Sequence, residues 1–158
     1  MAIQYAKDKS GVYQTINLKI KSDVHRIFDY LSTTEGIQQW FPQLSFQERI
    51  EGGKMLFHLD DSEDLEMRIT HFEPNKTIGF TWDIGKVKFE LFEHQSYVEL
   101  NFYEYLPFEF PHITLDFAGW QFQTESIKSI AETGKPLSQQ DCDFDAKKTE
   151  IEASLAVI

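Results

Sequence analysis

The chain has a single cysteine, Cys142, so no disulfide can form within it. That suits a reducing compartment, and a cytoplasmic location is expected. The thiol sits between Asp141 and Asp143, whose charges disfavour a thiolate and argue against a nucleophile. Long apolar runs are lacking too. No stretch approaches the roughly 18 apolar residues that span a bilayer, and the opening MAIQYAKDKSGVYQ has no apolar signal core. Positive charge is scarce: 15 Lys and Arg stand against 26 Asp and Glu, a formal net charge of −11, with no basic run. Phosphate backbones and anionic lipid headgroups repel such a chain, so neither nucleic acid nor a membrane is expected as a partner.

Signatures of chemistry are also missing. The histidines are His25, His58, His71, His94 and His112, and none stands four residues from another with a glutamate between. With no CxxC either, no metal site is expected. The acidic run DDSEDLE (60–66) lacks the central glycine and spacing of a calcium loop and reads as a solvated hairpin tip. No GxSxG, Walker-type loop or dinucleotide fingerprint occurs, so no cofactor is expected.

Aromatic residues, in contrast, are abundant. The chain of 158 residues carries 14 Phe, 6 Tyr and 3 Trp, and one domain must place them in a core, around a cavity or at an interface. Residues 1–10 read as a polar lead-in. TINLKI (15–20) alternates as a strand; SDVHRIFDYLST (22–33), with Ser22 as N-cap, and TTEGIQQWF (33–41) read as two short helices. The period then switches to two. Strands are expected over 44–50, 54–60, 65–73, 77–84, 87–93 and 97–105, joined by turns too short for anything but antiparallel neighbours. Residues 113–133 form the longest helical pattern, stopped by Gly134 and Pro136. The expectation is an α+β fold in which a curved seven-stranded antiparallel sheet wraps around this long helix. Residues 1–136 form one domain, and 137–158 form a C-terminal extension, either a short helix or a loosely attached tail.

Each strand has an apolar face, fixed in register because a one-residue slip would expose all of it. Inward positions include Phe57, Met67, Ile69, His71, Phe80, Trp82, Phe89 and Phe102, and the short helices add Phe28, Trp40 and Phe41. On the long helix, Ile113, Phe117, Trp120, Thr124, Ile127 and Ala131 share one stripe, with Gly119 at its border. Gln121, Glu125, Lys128 and Glu132 lie on another side. Phe122 points away from Trp120, and the extension is the nearest segment to cover it. Taken one at a time, each apolar residue is explained by core packing alone. Taken together, a curved sheet gripping one helix is expected to leave an apolar cavity. The candidate ligand-binding set is Phe28, Trp40, Phe41, Phe57, Met67, His71, Phe80, Trp82, Phe89, Phe102, Trp120, Thr124 and Ile127. His71, Thr124 and Tyr103 are its candidate polar groups. No residue is assigned to catalysis; His71 and Glu104 share the inward parity of their strands and form the one pair with acid/base character.

LSTTEGIQQWF (31–41) and GWQFQTESIKSIAETGKPL (119–137) resemble signature segments of a bacterial family homologous to the activator of the heat-shock-protein-90 ATPase. That family lies in the START/polyketide-cyclase/birch-pollen-allergen superfamily. The resemblance covers about residues 12–135 and implies the helix-grip fold, with an apolar cavity between long helix and sheet. It does not choose a function. Non-catalytic binding of a small hydrophobic or aromatic molecule is the leading expectation, and it requires a void beneath Trp120. A co-chaperone or other protein-interaction module, and an enzyme acting on a polyketide- or lipid-like substrate, are the alternatives.

Overall fold

Eight strands form, not seven. In the computed structural model, which describes residues 1–60 and 63–158, the supposed lead-in is a strand, β1 (Ala2–Lys7). It pairs antiparallel with β2 (Gly11–Ile20) at the sheet edge. Only Ile3 and Tyr5 turn inward, which left too few apolar positions to signal a strand; Tyr5 stacks on Phe117 with ring centroids 6.0 Å apart. The hairpin is tied by Asp8, which accepts from the Ser10 and Gly11 amides and from the Tyr13 hydroxyl (2.8, 3.1 and 2.6 Å). Those hydrogen bonds, the Tyr13 one foremost, hold its carboxyl well below the usual carboxylate range.

After β2 come α1 (Val24–Ser32) and α2 (Thr34–Ile37). The α1 cap is Asp23 rather than Ser22: its carboxylate accepts from the His25 and Arg26 amides, satisfying donors that the first turn cannot. Thr33 caps α2 in the same way at Gly36. The chain then runs as a meander through β3 (Leu44–Phe46), β4 (Lys54–Phe57), β5 (Leu65–Glu73), β6 (Thr77–Trp82), β7 (Gly85–Glu93) and β8 (Val98–Pro107). All pairs are antiparallel, in the order β1-β2-β8-β7-β6-β5-β4-β3. The acidic tip expected over 60–66 includes Asp61 and Ser62 and to that extent lies outside the described residues. Among the described residues, no helix is long and apolar enough to cross a membrane.

A β-bulge between Ile69 and His71 breaks the alternation of β5. Upstream, Met67 and Ile69 face the core; downstream the parity flips, so Phe72 turns inward against Phe28 (5.7 Å) and His71 is exposed. The placement of His71 on the inner face is therefore corrected. Leu59 and Ile84, at strand ends expected to continue inward, are exposed as well.

The long helix α3 (Ile113–Thr133) lies on the concave face and ends at Gly134, whose φ of 81° is the left-handed conformation that glycine adopts without strain. Trp120 is the centre of the core. Its ring meets Phe102 at 4.9 Å, Trp82 at 5.1 Å, Phe41 at 5.7 Å, Phe89 at 5.9 Å and Trp40 at 6.4 Å. The other flanks of α3 are covered by elements that the helix pattern alone does not reveal. Gln121 is buried rather than solvated, because β1 brings the Tyr5 hydroxyl to within 2.6 Å of its amide nitrogen. Phe122 is buried under α4 (Phe144–Ala156), where Phe144 stacks on it at 5.6 Å with an interplanar angle of 1°. Ser126 accepts from the Leu137 amide where the chain turns back toward that helix.

Candidate functional site

The N-terminal end of α3 borders a cavity of about 240 Å³. Phe41 from the segment after α2, Trp82 at the end of β6, and Phe110, Pro111 and His112 from the β8–α3 loop form three sides. Leu115, Asp116, Gly119, Trp120 and Gln123 of α3 form the fourth. A smaller hollow of about 150 Å³ adjoins it, sharing Trp82, Phe110 and Asp116 and adding Phe57, Leu59 and Leu65. The helix enters this region abruptly: His112 has a φ of 59° and gives the first turn no side-chain cap. Gly119 matters for the space it leaves, since a β-carbon built there would meet nothing within 4 Å.

The sheet side of Trp120 is thus occupied by aromatic rings, and the cavity that Trp120 lines opens at the N-terminal end of α3. Of the thirteen expected ligand-binding residues, Phe41, Trp82 and Trp120 line the cavity and Phe57 lines the adjoining hollow. Phe28, Trp40, Met67, Phe80, Phe89, Phe102 and Ile127 are buried core. Thr124 is also fully buried, and its hydroxyl donates to the Gln121 carbonyl (3.0 Å) away from the cavity. His71 and Tyr103 line a separate hollow on the outer face with Lys86 and Lys88. His71 is in register with Gly79, Lys88 and Tyr103, whereas Glu104 is in register with Val87 and Phe80, so their side chains leave opposite faces of the sheet and cannot act as a pair.

Glu104 has a different partner. It points inward from β8, only 2% exposed, between Gln14 of β2 and Asp116 of α3. A polar chain crosses the apolar interior here. The Gln121 amide donates to the Tyr5 hydroxyl and to Gln14 Oε1 (2.8 Å), and Gln14 donates to Glu104 Oε1 (3.1 Å) and to the Phe117 carbonyl (3.3 Å). Asp116 lies beside Glu104, and its Oδ1 accepts from Trp82 Nε1 at 3.0 Å. Burial, and then the Asp116 carboxylate beside it, push the Glu104 carboxyl well above the usual carboxylate range. Gln14 and Glu104 are legible as polar residues at inward positions of two alternating strands. Asp116 carries no such signal: only the cavity shows why it stands one helical turn before Trp120.

A larger hollow of about 790 Å³ runs between the β1–β2 edge and the C-terminal half of α3, but Lys19, Glu125, Lys128 and Glu132 line it. The end cavity is walled by Phe41, Trp82, Phe110 and Trp120.

Residues 21–132 match the profile of the family described as activator of Hsp90 ATPase homolog 1-like protein. The chain belongs to that family. No curated protein is similar enough to this sequence to count as a match. Among solved structures, the conserved protein EF2215 of unknown function from Enterococcus faecalis is 28% identical, with a TM-score of 0.90 over 98% of this chain and 90% of its own. CalU16 from Micromonospora echinospora is 14% identical, with a TM-score of 0.76 over 98% and 97% of the two chains. The Aha1 dimer from Colwellia psychrerythraea is 19% identical, with a TM-score of 0.65 over 77% and 96%. The helix-grip architecture of this family member is thereby shown, and at these identities CalU16 and Aha1 speak to fold alone. The matched span contains the cavity walls and Asp116 but neither β1 nor α4. EF2215 and CalU16 each cover nearly the whole chain, so their likeness extends over those two elements as well.

Proposed function

We propose that this family member binds a small apolar or aromatic molecule in the end cavity and holds it without transforming it. The observation that carries this reading is a concave space walled by Phe41, Trp82, Phe110 and Trp120 at the one glycine of α3. At about 240 Å³ the cavity is smaller than the roughly 300–1,000 Å³ of drug-sized sites, and the hollow past Trp82 extends it. The ligand is correspondingly small. Native mass spectrometry of freshly purified protein should reveal a bound mass, and a suitable aromatic ligand should quench the fluorescence of Trp82 and Trp120. Gly119→Leu fills the space; ligand binding that survives this change at unaltered affinity overturns the reading.

A protein partner is the second reading, favoured by Leu59 and Leu115, which are exposed on the rims of the two hollows. Stimulation of the host chaperone's ATPase that is lost on Leu115→Glu supports it, and unchanged ATPase rates exclude it.

A further inference from the structure

We propose that the end cavity selects organic cations, a small ammonium group carried on an apolar or aromatic body, with Asp116 as the anionic anchor. The proposal rests on the cavity reading above and names its ligand class.

Two features of the site point there. First, the cavity is an aromatic cage. Phe41, Trp82, Phe110 and Trp120 line it, and a cation seated over the face of such a ring within about 6 Å is attracted by its π-system. Second, the only carboxylate in its lining, Asp116, has no cationic partner: none of the ion pairs among the described residues involves Asp116 or Glu104. An uncompensated charge beside an apolar interior is destabilising unless something complements it. Trp82 Nε1 donates to Asp116 but brings no positive charge.

The unpaired buried oxygens point the same way. Among the described residues, three buried side-chain atoms lack a hydrogen-bond partner: Glu104 Oε2, Asp116 Oδ2 and Trp120 Nε1. The two carboxyl oxygens are acceptors that an ammonium complements, whereas Trp120 Nε1 is a donor that it leaves unpaired. A metal ion is a poorer fit for the Asp116 charge, because among the described residues no three His, Cys, Asp or Glu side chains converge. An ammonium fits better, with its charge against Asp116 and its body against the rings. The mouth beside exposed Leu115 leaves the cation partly hydrated, which reduces its desolvation cost.

Three probes with the same ring and different heads test this: benzylammonium, benzyl alcohol and benzoate, titrated at pH 7.5 with tryptophan fluorescence and checked by calorimetry. Benzylammonium should bind about ten-fold or more tighter than benzyl alcohol, and benzoate should not bind. Asp116→Asn keeps an acceptor for Trp82 Nε1 but removes the charge. It should bring benzylammonium down to the affinity of benzyl alcohol, whose unchanged binding shows the variant to be folded. Equal binding of benzylammonium and benzyl alcohol by the wild type, or a cation preference that persists in Asp116→Asn, overturns the proposal and leaves the cavity reading standing. No binding by any of the three probes overturns both.

Discussion

Gly119 shows how one position can serve space rather than stability. A glycine in a helix interior costs about 1 kcal/mol relative to alanine, and the open space around this one means that a β-carbon would clash with nothing. Gly119→Ala is therefore expected to raise unfolding stability by about 0.5–1 kcal/mol in urea titrations while weakening cavity ligands. A destabilised variant would show that the glycine is needed for packing after all. Trp120, one residue on, has the opposite role: it is fully enclosed by aromatic rings, and Trp120→Ala should cost about 3–5 kcal/mol. Glu104 makes a third, pH-dependent case. Its carboxyl is neutral in the fold at pH values where the unfolded chain ionises it. The stability it contributes is therefore complete below its ordinary value of 4.5 and is lost as pH rises through its elevated one. Glu104→Gln keeps a hydrogen-bond donor toward Asp116 and cannot ionise. Wild type should lose stability relative to this variant by about 1.4 kcal/mol per pH unit across that window. Parallel stability curves for the two proteins above pH 4.5 would contradict the assignment of the raised carboxyl to Glu104.

At the scale of elements, the meander and the two short helices were legible because apolar alternation and the turn residues between strands pointed the same way. β1 was not, because an edge strand with two inward side chains looks like any polar segment. Missing it also misplaced Gln121, whose solvated appearance on the helix wheel holds only if no strand covers that flank. His71 failed for a different physical reason. Period two predicts a face only while every residue of a strand is paired, and one bulged residue at Thr70 reverses everything after it. The cavity was half legible: Trp82, Trp120 and Phe41 carried the pattern, while Phe110, His112 and Asp116 come from a loop and a helix entrance with no periodicity to read. Phe122 was recognisable as needing a cover, and α4 supplies one. The Phe122–Phe144 stack joins α4 to α3. Phe144→Ala should lower stability by about 2 kcal/mol and expose Phe122, detectable as increased dye binding. Unchanged stability would mean that Ile151, buried on the same helix, suffices to hold it.

Across the whole molecule, the excess of carboxylates sets the electrostatic field in which the cavity lies. A net charge of −11 on 158 residues surrounds the protein with a negative potential that concentrates cations near its surface. Within the cavity that long-range field and the local Asp116 charge have the same sign, so an organic cation is drawn in from a distance and retained at contact. The two contributions separate by ionic strength. Long-range attraction is screened once the Debye length falls below the distance over which it acts, from about 30 Å at 0.01 M salt to about 3 Å at 1 M. Contact with Asp116 inside the cavity is screened far less. In stopped-flow fluorescence the association rate of benzylammonium should therefore fall several-fold between those salt concentrations while its dissociation rate changes little. Benzyl alcohol should show no salt dependence in either rate. A dissociation rate that rises as steeply as the association rate falls would place the cation on the outer surface, bound by diffuse charge instead of by the carboxylate at the head of α3.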